Sequence, residues 1–234
     1  MIRIFVPPGA LVAGELVVRG DEHHYLARVR RARPGDAIEL CDGLGRRAAA
    51  TIVRLSDGET ALVAAAPEAI AAAPPFVRAL VPLIKGDRMD ACIEKLVEVG
   101  VDAIVVWPAA RSVVRLDDAR RDSRVARYRT VAQAAARQSG RAQVPQVSAA
   151  ASLSAALADL PGGLQLVLDP ACGASLAVGD AADVTIVSGP EGGLAPDEHD
   201  RLAAFTPVGL GPRVLRADTA PVVAVAVIRA ATHS

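Results

Sequence analysis

The sequence predicts an α/β protein, with a mainly parallel sheet in the larger C-terminal part and a smaller β domain ahead of it. Three observations carry this. The first 70 residues hold several short strand-like runs separated by strong turn formers. Pro74 and Pro75 then interrupt regular structure and reset the chain. Beyond them, strand-like runs alternate with helix-like ones, and LQLVLDP (164–170) and DVTIVSGP (183–190) are apolar almost throughout, as strands covered on both faces are.

In the first part, RIFV (3–6), ELVV (15–18), DAIEL (36–40), AAATIVRL (48–55) and TALVAA (60–65) are the expected strands. Pro7-Pro8-Gly9, Pro34-Gly35, Asp42-Gly43 and Asp57-Gly58 are the expected turns between them. One helix is expected in DEHHYLARVRR, with Asp21 as its cap and Tyr25, Leu26 and Val29 on one face. APEAIAAAPP (66–75) reads as a linker. In the second part, FVRALVPL (76–83) and AIVVWP (103–108) read as strands. GDRMDACIEKLVEVG (86–100) reads as an amphipathic helix stopped by Gly100, with Met89, Ile93, Leu96 and Val97 inward. Residues 118–138 and 196–204 are expected to be helical. The end, TAPVVAVAVIRAA (219–231), has β-branched residues that favour a strand. Its length, early Pro221 and closing alanines favour a helix, and helix is the reading adopted.

Hydrophobic residues make up 52% of the 234-residue chain and charged residues 22%, which excludes a disordered chain. The 26 basic and 26 acidic residues cancel, which excludes a uniformly basic coat for nucleic acid. The cancellation hides a polarity along the chain. Residues 111–141 hold 9 Arg against 3 Asp, whereas residues 142–234 hold 4 basic and 9 acidic residues. A cationic middle of this kind points to an anionic partner. Cys41, Cys92 and Cys172 lie far apart, are odd in number and lack zinc spacing. Neither a disulfide framework nor a metal site is expected, and a reducing cytoplasm is the default. The start MIRIFVPPGA has no signal-peptide pattern. No apolar run approaches the roughly 18 residues that suggest a membrane span.

Several motifs bear on chemistry. GLGRRA (43–48) formally satisfies G-x-G-x-x-A, but a strand-like segment follows it where a dinucleotide site needs a helix, and a hairpin turn is the better reading. No phosphate loop or nucleophile elbow occurs. SGPEGGLAPDE (188–198) directly follows an apolar strand, and its glycines let a ligand approach the backbone closely. GLGPRVLRADTA (209–220) is a second glycine-punctuated segment. Its Asp218 or Thr219 is either a helix cap or, with Arg216, part of a site. AARSVV (109–114) and RQSGRAQVP (137–145) place Arg111, Ser112, Arg137, Gln138 and Arg141 where they suit phosphate and base-edge contacts. Arg28, Arg30, Arg31 and Arg33 form a smaller basic stripe.

Taken in order, these segments resemble the RsmE family. These are SPOUT-class methyltransferases that use S-adenosylmethionine to methylate N3 of a uridine in small-subunit (16S) ribosomal RNA. The resemblance runs from RIFVPP and GDEHHYLARVRRARPGD through KGDRMDACIEKLVEVGV, ARSVV and RQSGRAQVP to SGPEGG and LGPRVLRADTA. It implies a PUA-like RNA-binding β-barrel over residues 1–70 and a SPOUT domain over 74–234 with a deep trefoil knot in its last third. It also implies a homodimer. By position, the resemblance assigns the cofactor to Leu168 and Asp169, to Gly189, Pro190, Glu191, Gly192 and Gly193, and to Leu210, Gly211, Leu215, Arg216 and Thr219. The family usually has Glu where Asp218 stands, and Asp shortens the reach by one methylene.

A uracil N3 must lose its proton to become a nucleophile, and a nearby cation that stabilises the anion lowers the barrier. Arg216, with Arg111 or Arg141, is expected to act so, and Glu191 and Asp218 are the candidate proton acceptors. RNA contacts are expected from Arg28, Arg30, Arg31, Arg33, Arg111, Ser112, Arg124, Arg127, Gln138 and Arg141. A non-catalytic assembly factor that binds ribosomal RNA, or a SPOUT enzyme with another RNA target, is the alternative. Affinity for small-subunit RNA, measured by filter binding, is expected to fall steeply as salt rises.

Overall fold

The computed structural model describes residues 1–112 and 118–232, in two compact units. The first comprises Met1–Ala72 and Ala136–Val144, and the second Ala73–Ala135 and Pro145–Ser234. Residues 136–144, which the sequence places in the later domain, thus belong to the earlier unit. Val113 and Val114, the end of AARSVV, and Arg115 lie outside the described residues.

The first unit is a mixed sheet with one helical segment. Its elements are β1 (Ile2–Phe5), β2 (Gly14–Arg19), α1 (Gly20–His24), β3 (Ala37–Cys41), β4 (Arg46–Ser56), β5 (Glu59–Ala64) and β6 (Glu68–Ala69). The strand order is β1–β3–β4–β5–β2, with β6 paired to β4. β1 and β3 are parallel and the other pairs antiparallel. Alternate residues of β4, Ala48, Ala50 and Ile52, turn inward to meet Ile4, Ile38, Leu40 and Leu62. α1 continues as a π-helical turn over Tyr25–Val29. Asp21 does not cap α1: the cap position is Arg19, and Asp21 lies within the first turn. The GLGRRA motif is a hairpin turn. Asp42 Oδ1 accepts the Leu44 and Arg46 amides at 2.8 and 3.0 Å, which folds the chain back into β4.

The second unit runs β7 (Phe76–Pro82), α2 (Asp87–Glu98), β8 (Ala103–Trp107), α3 (Asp118–Ser139), β9 (Gln146–Ala149), α4 (Leu153–Ala158), β10 (Leu164–Leu168), β11 (Asp183–Val187), α5 (Pro196–Arg201), β12 (Thr206–Val208) and α6 (Ala220–Ala231). The last turn of α3 falls in the first unit. The sheet order is β12–β10–β11–β7–β8–β9, and every pairing is parallel. Leu80, Trp107, Val167 and Val187 face one layer with Leu153 and Ala156 of α4. α6 packs on β7 and β11 beside α2. Pro221, Ala224, Val225 and Ile228 are its buried stripe, which decides the ambiguous C-terminal run for helix. Arg229 near its end donates to the carbonyls of Gly100 and Pro75 at 2.9 and 2.7 Å and pairs with buried Asp102.

Four elements were not foreseen from sequence: β6, which lies in the stretch read as a linker, and β9, α4 and β12. Each is short, and β12 contains Pro207, which is tolerated because β12 is an edge strand. α4 begins at a Ser152 cap whose Oγ accepts the Ala155 amide at 3.1 Å.

Because β10 lies between β11 and β12, the loops that follow these three strands leave the same edge of the sheet. The loop after β10 also grips the end of β12. The Asp169 amide donates to Val208 O at 3.0 Å, and the Gly209 amide donates to Ala174 O at 2.8 Å. At this crossing a Cβ on Gly209 would stand 2.1 Å from the carbonyl oxygen of Cys172. Gly209→Ala is therefore expected to cost about 3 kcal/mol or more, read as a lower urea midpoint, because two backbones must move apart.

Candidate functional site

The three loops enclose a cavity of about 760 Å³. Its floor is apolar: Val167, Leu194, Leu202 and Phe205 belong to the core beneath it. Its rim carries Asp169, Glu191, Arg111, Arg213 and Arg216. Of the residues assigned to the cofactor, Leu168, Asp169, Gly189, Pro190, Glu191, Gly193, Leu210, Leu215 and Arg216 line it. Gly192, Gly211 and Thr219 do not. Gly192 lies against Arg111, whose Cβ would be 3.1 Å from an added Cβ. Gly211 borders a separate hollow with residues 170–175. Thr219 occupies the cap position of α6 without a side-chain capping bond.

The loop after β11 is fastened from three sides. Arg111 Nη1 donates to the carbonyls of Gly192 and Leu194 at 3.2 and 3.1 Å. Buried Glu198 takes the Ala110 amide on Oε1 and the Ala195 amide on Oε2, both at 2.8 Å. Arg88, in the first turn of α2, donates through Nη1 to Glu191 Oε1 at 2.9 Å and through Nε to Asp218 Oδ2 at 2.8 Å. The Arg88 guanidinium holds the Asp218 carboxyl below the usual carboxylate range.

Arg88 and Glu198 carry no assignment from sequence. Arg88 is part of KGDRMD, and the signal that could have found it is its place just past a parallel strand, on the edge where ligands bind. Glu198 could have been read from its spacing three residues after Ala195, since a carboxylate there can reach back to the cap amide. Lining residues outside the sequence reading include His199, Arg213 and the exposed Val214.

The RNA candidates divide. Arg28, Arg30, Arg31 and Arg33 are exposed, and among the described residues their side chains have no hydrogen-bond or ion-pair partner. Arg31 adopts a φ of +51°, a left-handed conformation unusual for a residue with a Cβ. Gln138 is exposed at the end of α3, and Ser112, Arg124 and Arg141 are half-buried. Arg127 is drawn to Asp90 of α2, with Nε at 2.9 Å from Oδ2. Arg111 faces the cavity and braces a loop, as described above. Arg137 pairs with Glu22 and stacks 4.4 Å from the Tyr25 ring centroid, a structural contact inside the first unit. Burial pushes the Glu22 carboxyl up despite that cation. Among the described residues no cluster of His, Cys, Asp or Glu could hold a metal ion.

A family model described as an RNA methyltransferase domain matches residues 73–229, and one described as an RNA methyltransferase PUA domain matches residues 18–63. Ribosomal RNA small subunit methyltransferase E of Mycobacterium bovis is 37% identical over 91% of this chain and 85% of its own length. The chain belongs to the ribosomal RNA small subunit methyltransferase E family. The Bacillus subtilis member is 34% identical over 90% of this chain and 88% of its own. The solved Neisseria gonorrhoeae member, bound to S-adenosylmethionine, superposes with a TM-score of 0.87 at 29% identity, covering 99% of this chain and 98% of that one. A Legionella pneumophila structure described as a methyltransferase with bound cofactor S-adenosylmethionine gives 0.86 at 26% identity, over 98% and 97%.

Glu198→Gln places an amide donor against one of two backbone donors. It is expected to cost about 1–3 kcal/mol and to speed hydrogen exchange at the Ala110 and Ala195 amides.

Proposed function

We propose that this chain methylates N3 of a uridine in small-subunit ribosomal RNA with S-adenosylmethionine as donor. The observation that carries the reading is the cavity: the loops after β10, β11 and β12 close around about 760 Å³, in a chain of the family whose N. gonorrhoeae member is solved with S-adenosylmethionine. The volume suits a small-molecule site, generally about 300–1,000 Å³. The residues also fit such a ligand. Apolar Leu194, Leu202 and Phe205 suit an adenine ring, and Gly189 and Gly193 let backbone amides approach where a side chain would obstruct. When bound, the cofactor supplies an electrophilic methyl group.

The protein's own residues supply the rest. Arg216 is exposed on the cavity rim, where its guanidinium can stabilise a uracil anion. The two carboxylates are not equivalent. Asp218 is tied to Arg88 and held below its usual range, which makes it a poor proton acceptor. Glu191 gives one oxygen to Arg88, and its other oxygen has no partner among the described residues. Glu191 is the better candidate.

The exposed stripe Arg28–Arg33 supports RNA contact by the first unit, within the PUA-type match. The reading includes a homodimer in the cytoplasm. The three free cysteines suit a reducing compartment. Among the described residues no helix is long and apolar enough to cross a membrane.

Calorimetric titration with S-adenosylhomocysteine is expected to show one site per chain, and absence of binding would leave the non-catalytic RNA binder in its place. Mass spectrometry of small-subunit RNA from cells lacking the gene is expected to show loss of one methyl group on a uridine. Arg216→Ala is expected to lower kcat about 100-fold while leaving the Kd for S-adenosylhomocysteine within about threefold.

A further inference from the structure

We infer that Arg88 is a positioning residue of this site, the middle member of a chain Asp218–Arg88–Glu191 that ties two cavity loops together and orients the Glu191 carboxylate. The inference rests on the reading of the cavity as a cofactor site, and it gives Arg88 a role in the reaction which that reading does not.

The three side chains come from distant parts of the sequence. Arg88 is 103 residues from Glu191 and 130 from Asp218. They meet because β7, which leads into α2, is paired with β11, so the start of α2 and the loop after β11 leave the sheet side by side. The guanidinium uses a separate edge for each acid, Nε for Asp218 and Nη1 for Glu191. A planar, five-donor fork can hold two carboxylates in fixed directions, whereas an ammonium is a point charge without that geometry.

Exposure gives the chain a direction. The Asp218 side chain is 20% exposed, Arg88 40% and Glu191 46%. Asp218 is the anchored end, and its second oxygen lies 3.5 Å from Thr219 Oγ1. Glu191 is the wet end, lines the cavity and keeps one oxygen unpartnered among the described residues. Asp218 thus fixes Arg88, and Arg88 fixes Glu191.

Magnitude separates this role from a stabilising one. Ion pairs this exposed contribute little to global stability. What they hold is local: the loops carrying Glu191 and Asp218 contain Gly189, Gly192, Gly193, Gly209 and Gly211, and glycine-rich segments open readily without a cross-tie. Small displacements at a reacting centre lower rate far more than they lower stability.

The test uses the full chain with Arg88→Gln, Arg88→Lys, Glu191→Gln and the Arg88→Gln/Glu191→Gln double variant. Thermal unfolding of Arg88→Gln is expected to shift by less than about 4 °C. Hydrogen exchange without ligand is expected to accelerate about tenfold in residues 189–193 and 213–219. Turnover on small-subunit RNA at saturating S-adenosylmethionine is expected to fall about 30-fold, with partial recovery in Arg88→Lys and no further loss when Arg88→Gln is added to Glu191→Gln. Unchanged loop exchange in Arg88→Gln, or losses that multiply in the double variant, would overturn the inference. Should Arg88→Gln unfold, Arg88→Lys decides by the same exchange measurement, because it keeps the charge and loses the fork. Wild-type chain that fails to bind S-adenosylhomocysteine would sink the cofactor reading instead, and the exchange result would still judge the tie.

Discussion

The architecture of the cavity depends on one close crossing of backbones. The loop leaving β10 wraps the end of β12, with Asp169 and Ala174 bonding to consecutive residues Val208 and Gly209. The Cys172 carbonyl occupies space that any side chain at Gly209 would need. Only with this crossing made do the loops after β10 and β12 lie against the loop after β11. Parallel pairing then puts all three on the carboxyl edge, where open α/β sheets bind ligands. The glycines of the two motifs therefore have different duties. Gly209 allows chains to cross, whereas Gly189 and Gly193 border the cavity itself.

Much of this was legible in the sequence, for physical reasons. Elements with a strong period or strong punctuation were read to within a few residues: β4 by the turn formers Asp42-Gly43 and Asp57-Gly58 on either side, α2 by its inward stripe and Gly100, and β10 and β11 by their unbroken apolar runs. The resemblance singled out three loops, and most of the residues it assigned line one cavity. What local pattern could not give was adjacency between segments a hundred residues apart. Arg88 reads as an ordinary helix arginine until β7 is seen beside β11. The short elements β9, α4 and β12 have too few residues to express a period.

The arginines show the limit most clearly. Sequence treats a run of guanidinium groups as one cationic surface. In the structure, Arg111 is bound to carbonyls, Arg127 to Asp90 and Arg137 to Glu22, so these three guanidinium groups are already engaged within the protein. The stripe from Arg28 to Arg33 remains without such partners among the described residues. A count of charges locates a region, and only the distribution of partners locates a surface.

Pro207 has a consequence beyond its own strand. An edge strand offers a row of unmet donors and acceptors that can recruit a further strand from another molecule. β12 is such an edge, yet Pro207 supplies no N–H, Gly209 already gives its N–H to Ala174, and the Cys172 thiol donates to the Pro207 carbonyl at 3.3 Å. The margin of the sheet nearest the cavity is thereby closed to β-augmentation. The glycine-rich rim can stay open to ligands without becoming a template for aggregation.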